Sequence, residues 1–176
     1  MASDMSTEVR PGVRRVVTGH RAADGVAVVK SDNTMPYEQV RFPGLRVGRL
    51  WVTTSLPAND NNENTDGATR TADGDLGIVA RSGVNFQYTD MAPGASVAAH
   101  RTSSLDHNIL ISGKLILVME DGSETLLDQP GDIVVQRGTI HGWKNPGPEW
   151  TRWLTVIIDA KPAVVNGKAL RPEVRY

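Results

Sequence analysis

His100 and His141 stand at the ends of short apolar runs, and between them in the chain lies the triplet Asp106-His107-Asn108. Side chains alternate faces along a strand. With His100 inward, Thr102 shares its face, Asp106 and Asn108 share one face of the next strand, and His107 takes the other. His141 and Trp143 share a face of a later strand. Strands that converge would bring two imidazoles and one carboxylate to a single point. Two neutral nitrogen donors and one hard anionic oxygen suit a divalent cation that keeps open positions for water or substrate. Such an ion polarises a carbonyl, stabilises an enolate, or lowers the pKa of bound water to about 7. A lone histidine at a strand end is more often a hydrogen-bonded structural residue. The joint spacing with a carboxylate is what favours a metal here.

The elements that must position these groups are short strands. Val13 to Thr18 and Val26 to Lys30 read as two strands with an Asp-Gly turn signal between them. Pro36 and Pro43 bar a helix from Met35 to Gly44, which reads as extended and irregular. Val47 to Thr54 and Val84 to Thr89 are further strands. The polar stretch Leu56 to Gly77 between them reads as a lid or a disordered insertion. Seven more follow: Ser96 to Ala99, Asp106 to Ile111, Leu115 to Met119, Glu124 to Leu127, Ile133 to Gln136, Ile140 to Lys144 and Thr151 to Ile158. Asp121-Gly122 is a hairpin signal with positive φ. A weak helical period appears only after Pro162. Closely spaced strands and turns predict an all-β sandwich or barrel.

Composition bounds the rest. A chain of 176 residues, 39% hydrophobic, supports one domain with a full core. A net charge of −1 offers no electrostatic case for nucleic acid or an anionic membrane. No apolar run approaches the roughly 20 residues of a membrane helix, and the N-terminus carries no export signal, so a cytoplasmic protein is expected. The absence of cysteine excludes disulfides, thiolate ligands and cysteine nucleophiles.

The segment from Pro93 to Asn145 resembles the cupin superfamily, in its single-domain conserved-barrel form. The first motif of that family is matched by Gly94, five residues, His100-Arg101-Thr102, three residues, Asp106, six residues and Gly113. The second is matched by Gly131-Asp132, Gln136-Arg137-Gly138, two residues, His141, three residues and Asn145. The resemblance implies a double-stranded β-helix, or jelly-roll barrel, over 91–160, within a single domain. A flexible tail covers 1–11, extra strands with the polar loop cover 12–90, and a C-terminal extension covers 161–176. It also implies one divalent metal ion, with Zn, Fe, Mn and Ni undistinguished, held by His100, Asp106 and His141.

Thr102 stands where the family usually has its second histidine, Asp106 replaces a glutamate, and Gln136 replaces a proline. The Thr102 hydroxyl is then a candidate to orient a metal-bound water. His107 is a candidate substitute for the missing ligand, although alternation points it away. Asn108, Leu110, Leu117, Trp143 and Trp153 are the candidate lining of a small-molecule pocket. The expected function is a metal-dependent enzyme acting on a small oxygenated metabolite by lyase, dehydratase or cyclase chemistry. A non-haem iron dioxygenase with the same ligands and a non-catalytic binding barrel are the alternatives. Similar cupins pair through N-terminal strands and barrel faces, so a homodimer is expected.

Overall fold

The computed structural model describes residues 10–39 and 42–176. The expected tail over 1–11 lies almost wholly outside them, as do two positions of the 35–44 stretch. The described residues form fifteen strands and three single-turn 3-10 helices. In chain order the strands are β1 (Val13–His20), β2 (Ala27–Met35), β3 (Glu38–Gln39), β4 (Leu45–Thr53), β5 (Val84–Met91), β6 (Ser96–Arg101), β7 (Ser104–Ser112) and β8 (Leu115–Met119). They continue with β9 (Glu124–Leu127), β10 (Ile133–Arg137), β11 (His141–Lys144), β12 (Thr151–Asp159), β13 (Val164–Val165), β14 (Lys168–Ala169) and β15 (Glu173–Arg175). Two antiparallel sheets dominate. One has the order β10-β7-β12-β5-β4-β3, the other β15-β6-β11-β8-β9. This is an all-β double-stranded β-helix.

The period-2 pattern read in the sequence is what drives the two sheets together. Along β7 and β12 buried and part-exposed positions alternate strictly for most of each strand. The inner faces meet in a core of Met91, Leu110 and Trp153 from one sheet and Leu115, Leu117, Leu127 and Trp143 from the other. A second cluster forms on the outer face of the larger sheet, where Met35, Leu50 and Tyr88 bury together with Val13, Tyr37 and Phe86. Gly48 makes that packing possible, because a Cβ there would lie 2.0 Å from the Tyr88 ring.

Asp121-Gly122 closes the β8–β9 hairpin as its sequence requires. Gly122 has φ +83°, a left-handed value that a side chain disfavours, and the Asp121 carboxylate accepts from Ser123 N at 2.9 Å. Past Pro162 the weak helical period yields no helix. Val164–Val165 and Lys168–Ala169 pair as a small hairpin, with Asn166 and Gly167 at positive φ in the turn, and β15 then adds to the edge of β6. Three- and two-residue pieces cannot bury a helical face, whereas an open sheet edge satisfies their backbone groups.

The barrel draws on more of the chain than 91–160. β4 and β5 belong to the larger sheet and β15 to the edge of the smaller, while the β1–β2 and β13–β14 hairpins form separate two-stranded sheets. Residues 56–77 hold an ordered course of three 3-10 turns. Among the described residues no helix is long and apolar enough to cross a membrane.

Candidate functional site

β6 and β11 run antiparallel with His100 directly opposite His141. The ring centroids are 4.5 Å apart, tilted by 50°. Each imidazole is oriented by its own segment of backbone. His100 Nδ1 lies 3.0 Å from the Ala98 carbonyl, and His141 Nδ1 lies 3.1 Å from that of Thr139. A carbonyl only accepts, so Nδ1 carries the proton in both rings and Nε2 keeps its lone pair. Burial pushes both histidines below the usual imidazole range. His141 falls to about 4, its second cause being the charge of His100 across from it. The pair is therefore neutral at pH 7.

The two rings open onto a cavity of about 500 Å³ between the sheets. Trp143 and Trp153, with centroids 6.1 Å apart, line it, and Trp143 meets His141 edge-on at 5.7 Å. Asp106 and Asn108 line the cavity from β7 in the opposite sheet. Asp106 is 5% exposed and its Oδ1 has no hydrogen-bond partner among the described residues. Burial pushes its carboxyl up to about 6, against the opposing pull of the Ser104 hydroxyl and the His107 charge.

The sequence-derived residues thus part company. His100 and His141 come together, with Asp106, Asn108, Trp143 and Trp153 around the same cavity. Among the described residues, no group of three or more His, Asp or Glu side chains converges as a metal-ligand cluster, so Asp106 does not close a three-ligand shell with the histidines. Thr102 does not line the cavity. β6 ends at Arg101, strict alternation ends with it, and the Thr102 hydroxyl bonds to Ser104 Oγ at 2.8 Å. Thr102 thereby supports Ser104, which in turn faces Asp106.

His107 faces away, opposite Val135 on one side and Val156 on the other, as alternation requires. Leu110 and Leu117 are packed in the core and are not cavity lining. Their cross-strand neighbours are Trp153 and Trp143, which do line it. Asn145, the last residue of the second motif, is structural. Its amide donates to the Met91 and Glu149 carbonyls at 2.9 and 2.8 Å, pinning the end of β11 to β5.

Other lining residues come from outside the motifs. Gln87 and Thr89 on β5 and Thr155 on β12 face inward, and Leu76 and Ile78 bring the end of the polar loop to the rim. The i, i+2 spacing of Gln87 and Thr89 was a usable signal in the sequence, but which face it marked depended on β5 pairing with β12.

The donor chemistry fits a divalent cation at two positions. Two neutral imidazoles with fixed tautomers and lone pairs brought close are favourable neighbours of a positive charge.

No protein-family model matches the chain. A cupin-domain-containing oxidoreductase, fogC, of Aspergillus ruber is 31% identical over 172 residues, covering 93% of this chain and 83% of that one. The chain belongs to the cupin superfamily. This cupin is also 32% identical over 167 residues to oryzines biosynthesis cluster protein J of Aspergillus oryzae, covering 91% and 90% of the two chains. Among solved structures it is similar to the polyketide cyclase RemF from Streptomyces resistomycificus. The TM-score is 0.50 at 16% identity, over 81% of this cupin and 80% of RemF, a likeness that bears on the fold alone.

Proposed function

We propose that this cupin is a metal-dependent biosynthetic enzyme acting on a small oxygenated organic molecule by proton transfer, in lyase, dehydratase or cyclase chemistry. The observation that carries the reading is the His100–His141 pair, tautomers held by backbone carbonyls, opening onto a 500 Å³ cavity shared with the carboxyl of Asp106. A divalent ion held by the two Nε2 atoms would act as a Lewis acid toward a substrate oxygen. Asp106 moves the proton. A carboxyl raised to about 6 is placed to accept a proton near neutral pH and to return it. Ser104, which Thr102 holds at 2.8 Å, pulls against the rise of that carboxyl. Trp143, Trp153 and the rim residues Leu76 and Ile78 limit the water that reaches the reacting atoms.

The oryzines-cluster relative supports a biosynthetic role, and the oxidoreductase of Aspergillus ruber favours a second reading, oxidation of the substrate at the same site. Oxygen uptake in the presence of substrate separates the two. A homodimer formed through the outer face of the larger sheet belongs to the proposal.

Metal analysis of protein purified without chelator tests the central point. The expected result is a transition metal near stoichiometry in the wild type, lost in His100→Ala and in His141→Ala, and kept in Asp106→Asn. A wild-type protein that carries no metal yet binds small molecules in the cavity would instead make this chain a non-catalytic container.

A further inference from the structure

The larger sheet presents to the cavity a polar row that the chemistry above leaves unused. Asn108, Thr155 and Gln87 are direct cross-strand neighbours on β7, β12 and β5, and all three line the cavity. Thr155 Oγ1 donates to Asn108 Oδ1 at 2.9 Å, and Asn85 Nδ2 donates to Gln87 Oε1 at 3.1 Å. Both amides therefore have their oxygen engaged by the protein, and each leaves its NH2 group for a ligand. Asn108 is 4% exposed, and its Nδ2 has no acceptor among the described residues. A buried donor left without an acceptor is costly, so a ligand acceptor there gains more than its bond alone.

The rest of the lining narrows the ligand. Among the described residues Asp106 is the only acidic side chain along it, none of the lining side chains is a lysine or arginine, and the walls are mostly aliphatic and aromatic. On the Asn108–Gln87 side of the cavity a phosphorylated ligand would find no counter-charge among the described side chains and would lose its hydration. An ammonium ligand would leave both amide donors unmet. A neutral molecule with an apolar body and a carbonyl oxygen satisfies the row and fills the walls.

We propose that Asn108 and Gln87 form the specificity subsite of this cavity and select an uncharged, mainly apolar substrate by donating hydrogen bonds to its carbonyl oxygen. The proposal rests on the reading of the cavity as the active site and names the class of molecule it takes.

Isothermal titration calorimetry with four probes of one ring system tests it: 1-indanone, indane, 1-aminoindane and indan-5-yl phosphate. Wild-type protein is expected to bind 1-indanone about tenfold more tightly than indane, and more tightly than either charged probe. Asn108→Leu and Gln87→Leu should each reduce that preference while indane binding stays unchanged, which also reports that the cavity is intact. Asn108→Asp keeps the shape and replaces donor by acceptor, so it should lose 1-indanone binding and gain 1-aminoindane binding.

Equal affinity for 1-indanone and indane, preference for a charged probe, a preference that survives in both leucine variants, or no binding of 1-indanone at millimolar concentration overturns the subsite. His100→Ala and His141→Ala should retain the ketone preference. Loss of metal in those variants with the preference retained supports both readings. A metal-free wild type that keeps the preference removes the metal chemistry alone, and absence of the preference in a metal-loaded wild type removes the subsite alone.

Discussion

At the scale of single residues, the cavity holds two buried groups whose titrations oppose one another. His141 takes its proton near 6.5 when unfolded and only at about 4 when folded. Stability from this group is full above the unfolded value and falls as pH drops from 6.5 toward 4. Asp106 has the opposite sign. Its folded carboxyl holds a proton up to about 6 whereas the unfolded one releases it near 3.8, so acidification across that window adds stability. Each of these two effects is on the order of 3 kcal/mol, and in chelator-treated protein Asp106 offsets much of the His141 effect, while His100, also lowered by burial, adds to it. Thermal melts from pH 7 down to pH 4 are therefore expected to show a shallow fall in Tm for the wild type. Asp106→Asn should steepen that fall and His141→Gln should flatten or reverse it; parallel slopes in both variants would remove this account of the cavity.

At the scale of elements, the loop from 56 to 77 illustrates how a polar segment becomes ordered without a core of its own. Arg70 joins Asp60, reaches Glu63 Oε2 at 2.6 Å and donates to the Val52 carbonyl at 2.8 Å. Asp66 accepts both guanidinium nitrogens of Arg15, at 2.6 and 2.5 Å, and caps Ala68 N at 2.9 Å. Gly67 lies flat on Trp51, where a Cβ would come within 2.4 Å of the indole. The loop ends with Asp75 accepting from Ser103 N at 2.8 Å, beside the turn that carries Thr102, and with Leu76 and Ile78 on the cavity rim. Arg70→Ala is expected to cost about 1–3 kcal/mol. It should also speed proteolytic cleavage within 56–77 and weaken 1-indanone binding, because the rim loses its anchor. Unchanged cleavage would show that the loop is held by something other than these ion pairs.

At the scale of the whole molecule, the larger sheet keeps an apolar outer surface. The β1–β2 hairpin and the cluster around Tyr88 lie on part of it. On the β10 side Ile133 and Val135 remain 62% and 53% exposed. Exposed apolar positions grouped on one sheet face are a common mark of an interface. A homodimer through this face would give twice the 19.1 kDa chain mass by light scattering, and Val135→Asp should return it to the single-chain mass with the Tm of the fold retained. A wild type that runs at 19.1 kDa at all concentrations refutes the dimer.

Much of this was legible in the residues. Alternation along β7 and β12, the Asp121-Gly122 turn and the spacing from Gly94 to Asn145 are local properties, and local sterics and periodicity sufficed to give an all-β barrel with His100 and His141 on inward faces. Register was not local. That His100 faces His141 across one sheet, while Asp106 stands in the other and closes no shell with them, follows from which strands pair. The same holds for Thr102, released from alternation where β6 stops, and for Leu110 and Leu117, packed into the core beside the tryptophans that line the cavity. Residue type and spacing determined which groups could do chemistry in this protein. Only long-range pairing decided which of them share a cavity, because a strand's pattern specifies its faces but not the strand beside it.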